Sequence, residues 1–330
     1  MTTYKEIYGT NVEVLSSDPT NPVEGQIWYN STSQTLKGYA LVAGSWATSG
    51  PLNTVRDQLA GAGTQTSSLA FGGATPAPAN TGATESYNGT SWTSSPNSMN
   101  TVRSSLAGTG TNTAALAFGG VTPTPDNVGN TESWNGTSWT ELNDLNTARR
   151  ALGGAGIQTA ALAIGGFQAT PPTAIANTEL WNGTSWTEVN DLNTTRNGLG
   201  SAGATNTAAL AFGGIQPSIP VRYANTENWN GTSWTEVNDL NTVRSSLAGT
   251  GTNTAALAFG GFTTVASALT EIWNGTSWTE VNDLNTARFL LAGAGTNTAA
   301  LAFGGGTPTV VASTEEWSGP AVQTVNITVS

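Results

Sequence analysis

A unit of 44 to 48 residues recurs six times, almost verbatim, and a period of that size decides the architecture before any local propensity is weighed. Gly-Gly doublets close an apolar run at Gly72-Gly73, Gly119-Gly120, Gly165-Gly166, Gly213-Gly214, Gly260-Gly261 and Gly304-Gly305, in steps of 47, 46, 48, 47 and 44. Arginine keeps the same beat at Arg56, Arg103, Arg149, Arg196, Arg244 and Arg288. So does glutamate, at Glu85, Glu132, Glu179, Glu227, Glu271 and Glu315. Ser-Trp pairs place Trp46, Trp92, Trp139, Trp186, Trp234 and Trp278 on it as well.

One unit, read from Asn241, contains four short strand-like pieces. They are Ser246–Gly251, Ala255–Phe259, Thr270–Trp273 and Ser277–Val281. A polar turn follows the first, the glycine doublet closes the second, and Asn274-Gly275, a strong hairpin signal, joins the third to the fourth. Four antiparallel strands in a unit of this length predict one blade of a propeller, with a parallel solenoid as the alternative. Ala, Gly, Ser and Thr dominate the first piece, as an innermost strand crowded around an axis requires. The sixth unit stops after its third strand at Trp317, while a lone fourth strand, Gly44–Thr48, precedes the first unit. The expectation is that this leading strand completes the last blade, an exchange a solenoid would not need.

These residues resemble the kelch family: a glycine doublet, Glu-x-Trp (Glu-x-Tyr at Tyr87), a second Trp five residues on, and Leu-Asn-Thr-x-Arg opening the next unit. The resemblance covers about 275 of 330 residues. It implies an all-β, six-bladed propeller over residues 44–318, and no single activity, because such folds serve enzymes and binders alike.

Composition removes whole classes of chemistry. The chain has no cysteine and no histidine, which excludes thiol nucleophiles, disulfides, Cys/His zinc sites, Ser-His-Asp triads and His-ligated copper or haem. Ten Lys and Arg against 21 Asp and Glu give a net charge of −11, unsuited to the phosphate backbone of a nucleic acid. No apolar run is long enough to insert in a membrane. Met1–Glu6 lacks a basic-then-apolar leader pattern, so the expected place of synthesis is a host cytoplasm.

The six arginines and six glutamates read as a repeated structural set, in ion pairs or bonded to neighbouring carbonyls. Asn-Asp pairs at Asn143, Asn190, Asn238 and Asn282 lack the dense acid spacing of a calcium loop and read as turns between blades. No metal and no cofactor are expected. Nearly all carboxylates occupy repeated positions, which argues against the single asymmetric pair that glycoside hydrolysis needs. The chain therefore reads as non-enzymatic.

What differs between units is the segment joining strands two and three, running from Ala74, Val121, Phe167, Ile215 and Phe262. Rigid scaffolds place recognition on such loops. The candidate contact residues are Phe167, Gln168, Ile219, Arg222, Tyr223 and Phe262, with the apolar and aromatic ones expected to be exposed. Arg222 is one of only two arginines off the sixfold beat.

Residues 1–43 differ in composition and predict a strand at Asn11–Leu15 and a hairpin of Gly25–Asn30 with Thr35–Tyr39. The stretch Asn21-Pro-Val-Glu-Gly-Gln-Ile-Trp-Tyr-Asn-Ser-Thr32 resembles a short module of marine bacteriophage tail and structural proteins, over about 25 residues. Val325–Val329 alternates as a strand that could pair with this module or with another chain. The resemblance implies a virion protein (decoration, tail or fibre) whose residues 1–43 and 319–330 bind other virion proteins within an oligomeric assembly. Its propeller would then contact a host-surface glycan or protein. The alternatives are a carbohydrate-binding, lectin-like propeller outside any virion, and a glycan hydrolase.

Overall fold

The computed structural model describes residues 12–76, 79–124 and 126–328. The features expected at Asn11, Ala77, Pro78, Pro125 and Val329, and any anchoring by residues 1–11, lie outside the described residues. No helix occurs among those described, and the chain is all-β. It divides into two compact units, Ser45–Ser318, and Met1–Gly44 with Gly319–Ser330.

Among the described residues, Ser45–Ser318 holds six four-stranded antiparallel sheets, an arrangement consistent with a β-propeller. The fifth is representative: Ala248–Gly251, Ala256–Phe259, Thr270–Trp273 and Trp278–Val281, each strand paired to the next in sequence. In the sixth, Ala292–Gly295, Ala299–Phe303 and Thr314–Ser318 are joined by Ser45–Ser49, with Trp317 opposite Trp46 and Ser318 opposite Ser45. Each strand-four tryptophan donates Nε1–H to the strand-three threonine of another sheet. Trp278 reaches Thr226 at 3.0 Å, Trp46 reaches Thr270 at 3.0 Å and Trp92 reaches Thr314 at 3.0 Å.

Second-strand side chains are buried on both faces, so this strand reads Ala-Leu-Ala-Phe with no polar alternation. Its phenylalanine packs against a strand-four tryptophan of another sheet, as in Phe212 with Trp278 at 4.9 Å and Phe303 with Trp92 at 4.9 Å. Apolar clusters join consecutive sheets, and one of them joins the first sheet (Leu69's neighbours Ala70, Tyr87 and Trp92) to the sixth (Leu301, Phe303). The same phenylalanines dictate the glycines of the first strand. A Cβ on Gly249 would lie 2.5 Å from Phe212 Cζ and 2.5 Å from the Ser201 carbonyl oxygen, closer than packed atoms come. Gly249→Ala is therefore expected to destabilise the unit by about 1–3 kcal/mol through overpacking, read from urea unfolding. A variant within 0.5 kcal/mol of the parent, on the order of an ordinary surface change, would contradict this packing.

The Asn-Gly turn differs from the expected tight hairpin. Trp273 pairs with Trp278, so the loop has four residues, Asn274–Ser277. Asn274 Oδ1 accepts from the amides of Thr276 and Ser277, both at 2.9 Å, while Gly275 takes φ of 93°. A side-chain cap thus replaces the two-residue geometry that Asn-Gly favours elsewhere.

The smaller unit is one sheet: Glu13–Leu15, Ile27–Asn30, Thr35–Val42 and Ala321–Asn326. Its first pair is parallel and the others antiparallel. Of the two partners open to the C-terminal strand, the structure has the module itself, with Gly38 opposite Val325. Asp18 ties the sheet together. Its carboxylate accepts from Trp28 Nε1 at 3.0 Å and Asn30 Nδ2 at 2.7 Å, and it pairs with Lys37 Nζ at 2.7 Å. Lys37 above all, then Asn30 and Trp28, holds its pKa down to about 2 from 3.8. A carboxyl depressed on folding stabilises the native state above its unfolded value, and loses that contribution as pH falls through its folded value. The fluorescence of buried Trp28 in this unit should accordingly persist at pH 4 and change as pH falls towards about 2. In Asp18→Asn that acid transition should vanish; an unchanged transition would show that another group governs it.

Candidate contact face

The repeated charges are consumed inside the scaffold. All six arginines and their glutamates are buried, and they pair within each sheet at 2.9–3.2 Å. Both expected readings hold at once. Arg244 Nη2 donates to Glu271 Oε1 at 3.0 Å, while Nη1 donates to the carbonyls of Gly260 at 3.2 Å and Leu269 at 2.5 Å. Glu271 Oε2 accepts from the Asn241 amide at 2.7 Å and from Asn241 Nδ2 at 2.9 Å. The pair closes the link between sheets by satisfying its backbone, and no oxygen of Glu271 is left to act on a substrate. Burial pulls Arg56 down to about 10, and Glu85 offsets that only in part.

The Asn-Asp turns are also structural. Asp144, Asp191, Asp239 and Asp283 each accept a strand-three threonine amide at 3.0–3.3 Å. Asn143, Asn190 and Asn238 each donate to a threonine carbonyl of another sheet at 2.8 Å.

Two positions after each repeated arginine, the chain enters the left-handed region, with φ from 52° to 57° at Gln58, Ser105, Ala151, Gly198, Ser246 and Leu290. Only one of the six is glycine, although an L-residue there costs about 1–2 kcal/mol. Backbone bonds between sheets account for it. Ser105 N donates to Gln58 O, Ala151 N to Ser105 O, Gly198 N to Ala151 O, Ser246 N to Gly198 O, Leu290 N to Ser246 O and Gln58 N to Leu290 O, at 2.6–2.9 Å. Each residue thus serves once as donor and once as acceptor. A depression of about 100 Å³ is lined by these residues and the leucines that follow them. A cavity of about 300 Å³, bounded by first strands, is lined by Gly, Ala, Ser, Thr and Ile157, with no ionisable side chain.

The residue that follows each arginine pairs with the residue that follows the doublet: Asp57 with Ala74, Ser104 with Val121, Arg150 with Phe167, Asn197 with Ile215, Ser245 with Phe262 and Phe289 with Gly306. These two sets of positions, and the positions two after each arginine, vary among the six copies, although the second and fifth both read Arg-Ser-Ser; the third position of strand three (Ser86, Ser133, Leu180, Asn228, Ile272, Glu316) varies as well. Sequence reading singled out the segments after the doublet, Gln216 included though not as a candidate contact; it did not name Arg150 or the positions after each arginine. The available signal was their variation directly beside an unvarying arginine.

The named residues are partly brought together. Arg222 lies over the Phe262 ring at 4.8 Å, and Phe262 meets Phe289 edge-on at 5.2 Å. Arg150 lies over Phe167 at 4.8 Å. Phe167, Tyr223 and Phe262 were expected to be exposed but are half-buried; at Phe167 and Phe262 guanidinium stacking and the inter-strand bridges cover the rings. Ile219 is exposed at 58 %. Phe167 and Gln168 stand on strand rather than loop, since the third sheet extends Ala160–Ala169 and Pro172–Trp181 into a long hairpin bulged at Gly165. Gln168 borders a separate cleft of about 390 Å³ with Asp126, Asn127 and Thr147. Tyr223 is held by its backbone, its carbonyl accepting the Arg244 amide at 3.3 Å.

No protein-family model matches this chain, and no curated protein is detectably similar to it in sequence.

Proposed function

We propose that the chain is a non-enzymatic virion protein, a decoration, tail or fibre component, in which Ser45–Ser318 is a six-bladed, kelch-like propeller clasped by Ser45–Ser49. Residues 1–43 and 319–330 attach it to other virion proteins, and the segments between strands two and three contact a host-surface glycan or protein. The observation that carries this reading is the division of labour among residues. The repeated charges are spent on the scaffold's own backbone, whereas the segments after the doublets differ in sequence and length between copies. The pairing of Trp46 with Trp317, and the six backbone bonds that run in turn from Gln58 through Leu290 and back to Gln58, support the clasped form.

Mass spectrometry of purified particles of the phage that encodes the chain tests the virion role, which is lost if the chain is missing from them. A lectin-like protein independent of particles is the second reading, favoured by the open hydrogen-bonding groups of Gln216 and Arg222. Glycan binding by the full chain, abolished by alanine at Arg222 and Tyr223, together with absence from particles, would select it.

A further inference from the structure

The cleft of about 390 Å³ between the second and third units falls within the ~300–1,000 Å³ of small-molecule sites. Three segments bound it: Asp126 and Asn127 after the second doublet, the link Asn146–Ala148, and Gln168 to Thr170 at the end of a long strand of the third sheet. Each is fixed by the scaffold. Asn127 Nδ2 donates to the Phe167 carbonyl at 2.7 Å, which ties the second unit to the third. The amides of Asn146 and Thr147 donate to the buried Glu179 carboxylate at 2.8 and 3.2 Å. The Thr122 amide donates to the Asp126 carbonyl at 3.1 Å. Little freedom therefore remains to be lost on binding.

The side-chain groups left open on this cleft are hydrogen-bond acceptors. Gln168 Nε2 donates to the Thr170 carbonyl at 2.8 Å, which orients the amide and leaves Oε1 without a partner among the described residues. Asp126 Oδ2 accepts from Thr124 Oγ1 at 3.2 Å, while Oδ1 accepts from no described residue. Thr147 Oγ1 is unpartnered among the described residues as well. Asp126 is exposed, and Thr147 and Gln168 are half-exposed, so all three are within a ligand's reach.

Open acceptors on a rigid cleft are matched by a ligand rich in hydroxyl donors. The Asp126 carboxylate disfavours a phosphate, sulfate or uronate. The only apolar side chains of the lining are those of Ala148 and Ala169, which offer no pocket for the large anchor a protein partner relies on. Arg150, with Nη1 at 3.4 Å from Asn127 Oδ1, sets a positive charge at the edge of the cleft and opposes a lysine there. A neutral sugar ring meets all of these conditions: its hydroxyls donate to the acceptors, and its C–H face suits the two alanine methyls.

We infer that this cleft binds a neutral saccharide, Asp126 Oδ1 and Gln168 Oε1 accepting from ring hydroxyls and Thr147 Oγ1 bonding a further one. The inference rests on the contact-surface reading above and specifies where that surface takes a glycan and of what charge.

An array of neutral and anionic bacterial-surface saccharides, probed with the full chain and followed by calorimetric titration of the best-retained one, tests it. A neutral saccharide is expected to bind best, with an affinity unchanged by salt, as befits an uncharged ligand, and by EDTA. Asp126→Ala should lower that affinity about tenfold or more, as loss of a charged hydrogen bond does, and Asp126→Asn less. Gln168→Leu and Thr147→Val should each lower it several-fold, with unfolding midpoints unchanged. Retention of anionic saccharides only, or of none, would overturn the inference. So would tighter binding of a poly-lysine peptide, loss of binding in EDTA, or full affinity in both Asp126→Ala and Gln168→Leu. If those two variants are silent while alanine at Arg222 and Tyr223 abolishes glycan binding, the contact surface survives and this cleft does not. Loss of binding on changing only Ile157, on the first-to-second turn side of its sheet, would instead remove the contact surface itself.

Discussion

Arg244→Met is expected to destabilise Ser45–Ser318 by about 3–5 kcal/mol, because it leaves the buried Glu271 carboxylate without its cation. Glu271→Leu should cost a similar amount. The informative variant is the double one. For an isolated buried pair, replacing both partners with apolar residues is often neutral, since the desolvation cost of the ions disappears with them. Here the pair also serves the backbone. Without it the carbonyls of Gly260 and Leu269 and the amide of Asn241 lose their partners in a buried link. Each such group costs about 1–3 kcal/mol, so Arg244→Met with Glu271→Leu should recover little of the loss. A double-mutant cycle by urea unfolding decides it. Return of the double variant to near-parental stability would mean that the pair merely balances its own charges.

Trp46→Ala is expected to cost about 3–5 kcal/mol as well, the loss typical of a buried indole. Trp46 is buried against Phe259 at 5.0 Å and Trp317 at 5.4 Å, and its Nε1–H bonds to Thr270. Trp139→Ala makes the internal comparison: Trp139 meets Phe71 at 4.9 Å and bonds to Thr84 at 2.9 Å, but its strand follows its own sheet in sequence. Whereas the strand of Trp139 is held by a short turn as well, that of Trp46 is separated from its sheet partners by more than two hundred residues. Losing it would expose the edge of Thr314–Ser318, and limited proteolysis should cut there in Trp46→Ala and not in Trp139→Ala. Equal protection in both variants would argue against the clasped propeller proposed above. Tyr87 adds a contact of the same kind, its hydroxyl donating to Glu316 of the sixth sheet where the other units have tryptophan.

The all-β class, the four strands of each unit and the pairing of arginine with glutamate were legible in the chain, because a sixfold repeat averages away local ambiguity. A single Ala-Leu-Ala-Phe run does not distinguish strand from helix; six of them at one period, each closed by Gly-Gly, do. The candidate face was legible in part. Arg222 and Phe262 were singled out as variable residues, but their stacking joins the segment after one doublet to the residue after the next, which no local pattern reveals. The same stacking hid the rings that unpaired aromatic residues in loops would have exposed. Arg150, the other arginine off the sixfold beat, was not named as a candidate because nothing local shows that its side chain turns to Phe167.

By itself, then, the sequence determined what every unit shares: strand length, small residues where first strands meet, and a buried ion pair in each link. These follow from side-chain size and charge at repeated positions, which act locally. The tertiary structure alone decided that Leu290 bonds back to Gln58, that the C-terminal strand joins Thr35–Val42, and that Gln216 and Arg222 are left with open groups on one hairpin. Each depends on residues far apart in the chain reaching hydrogen-bonding distance, and only packing of the whole set determines which partners a buried donor or acceptor finds.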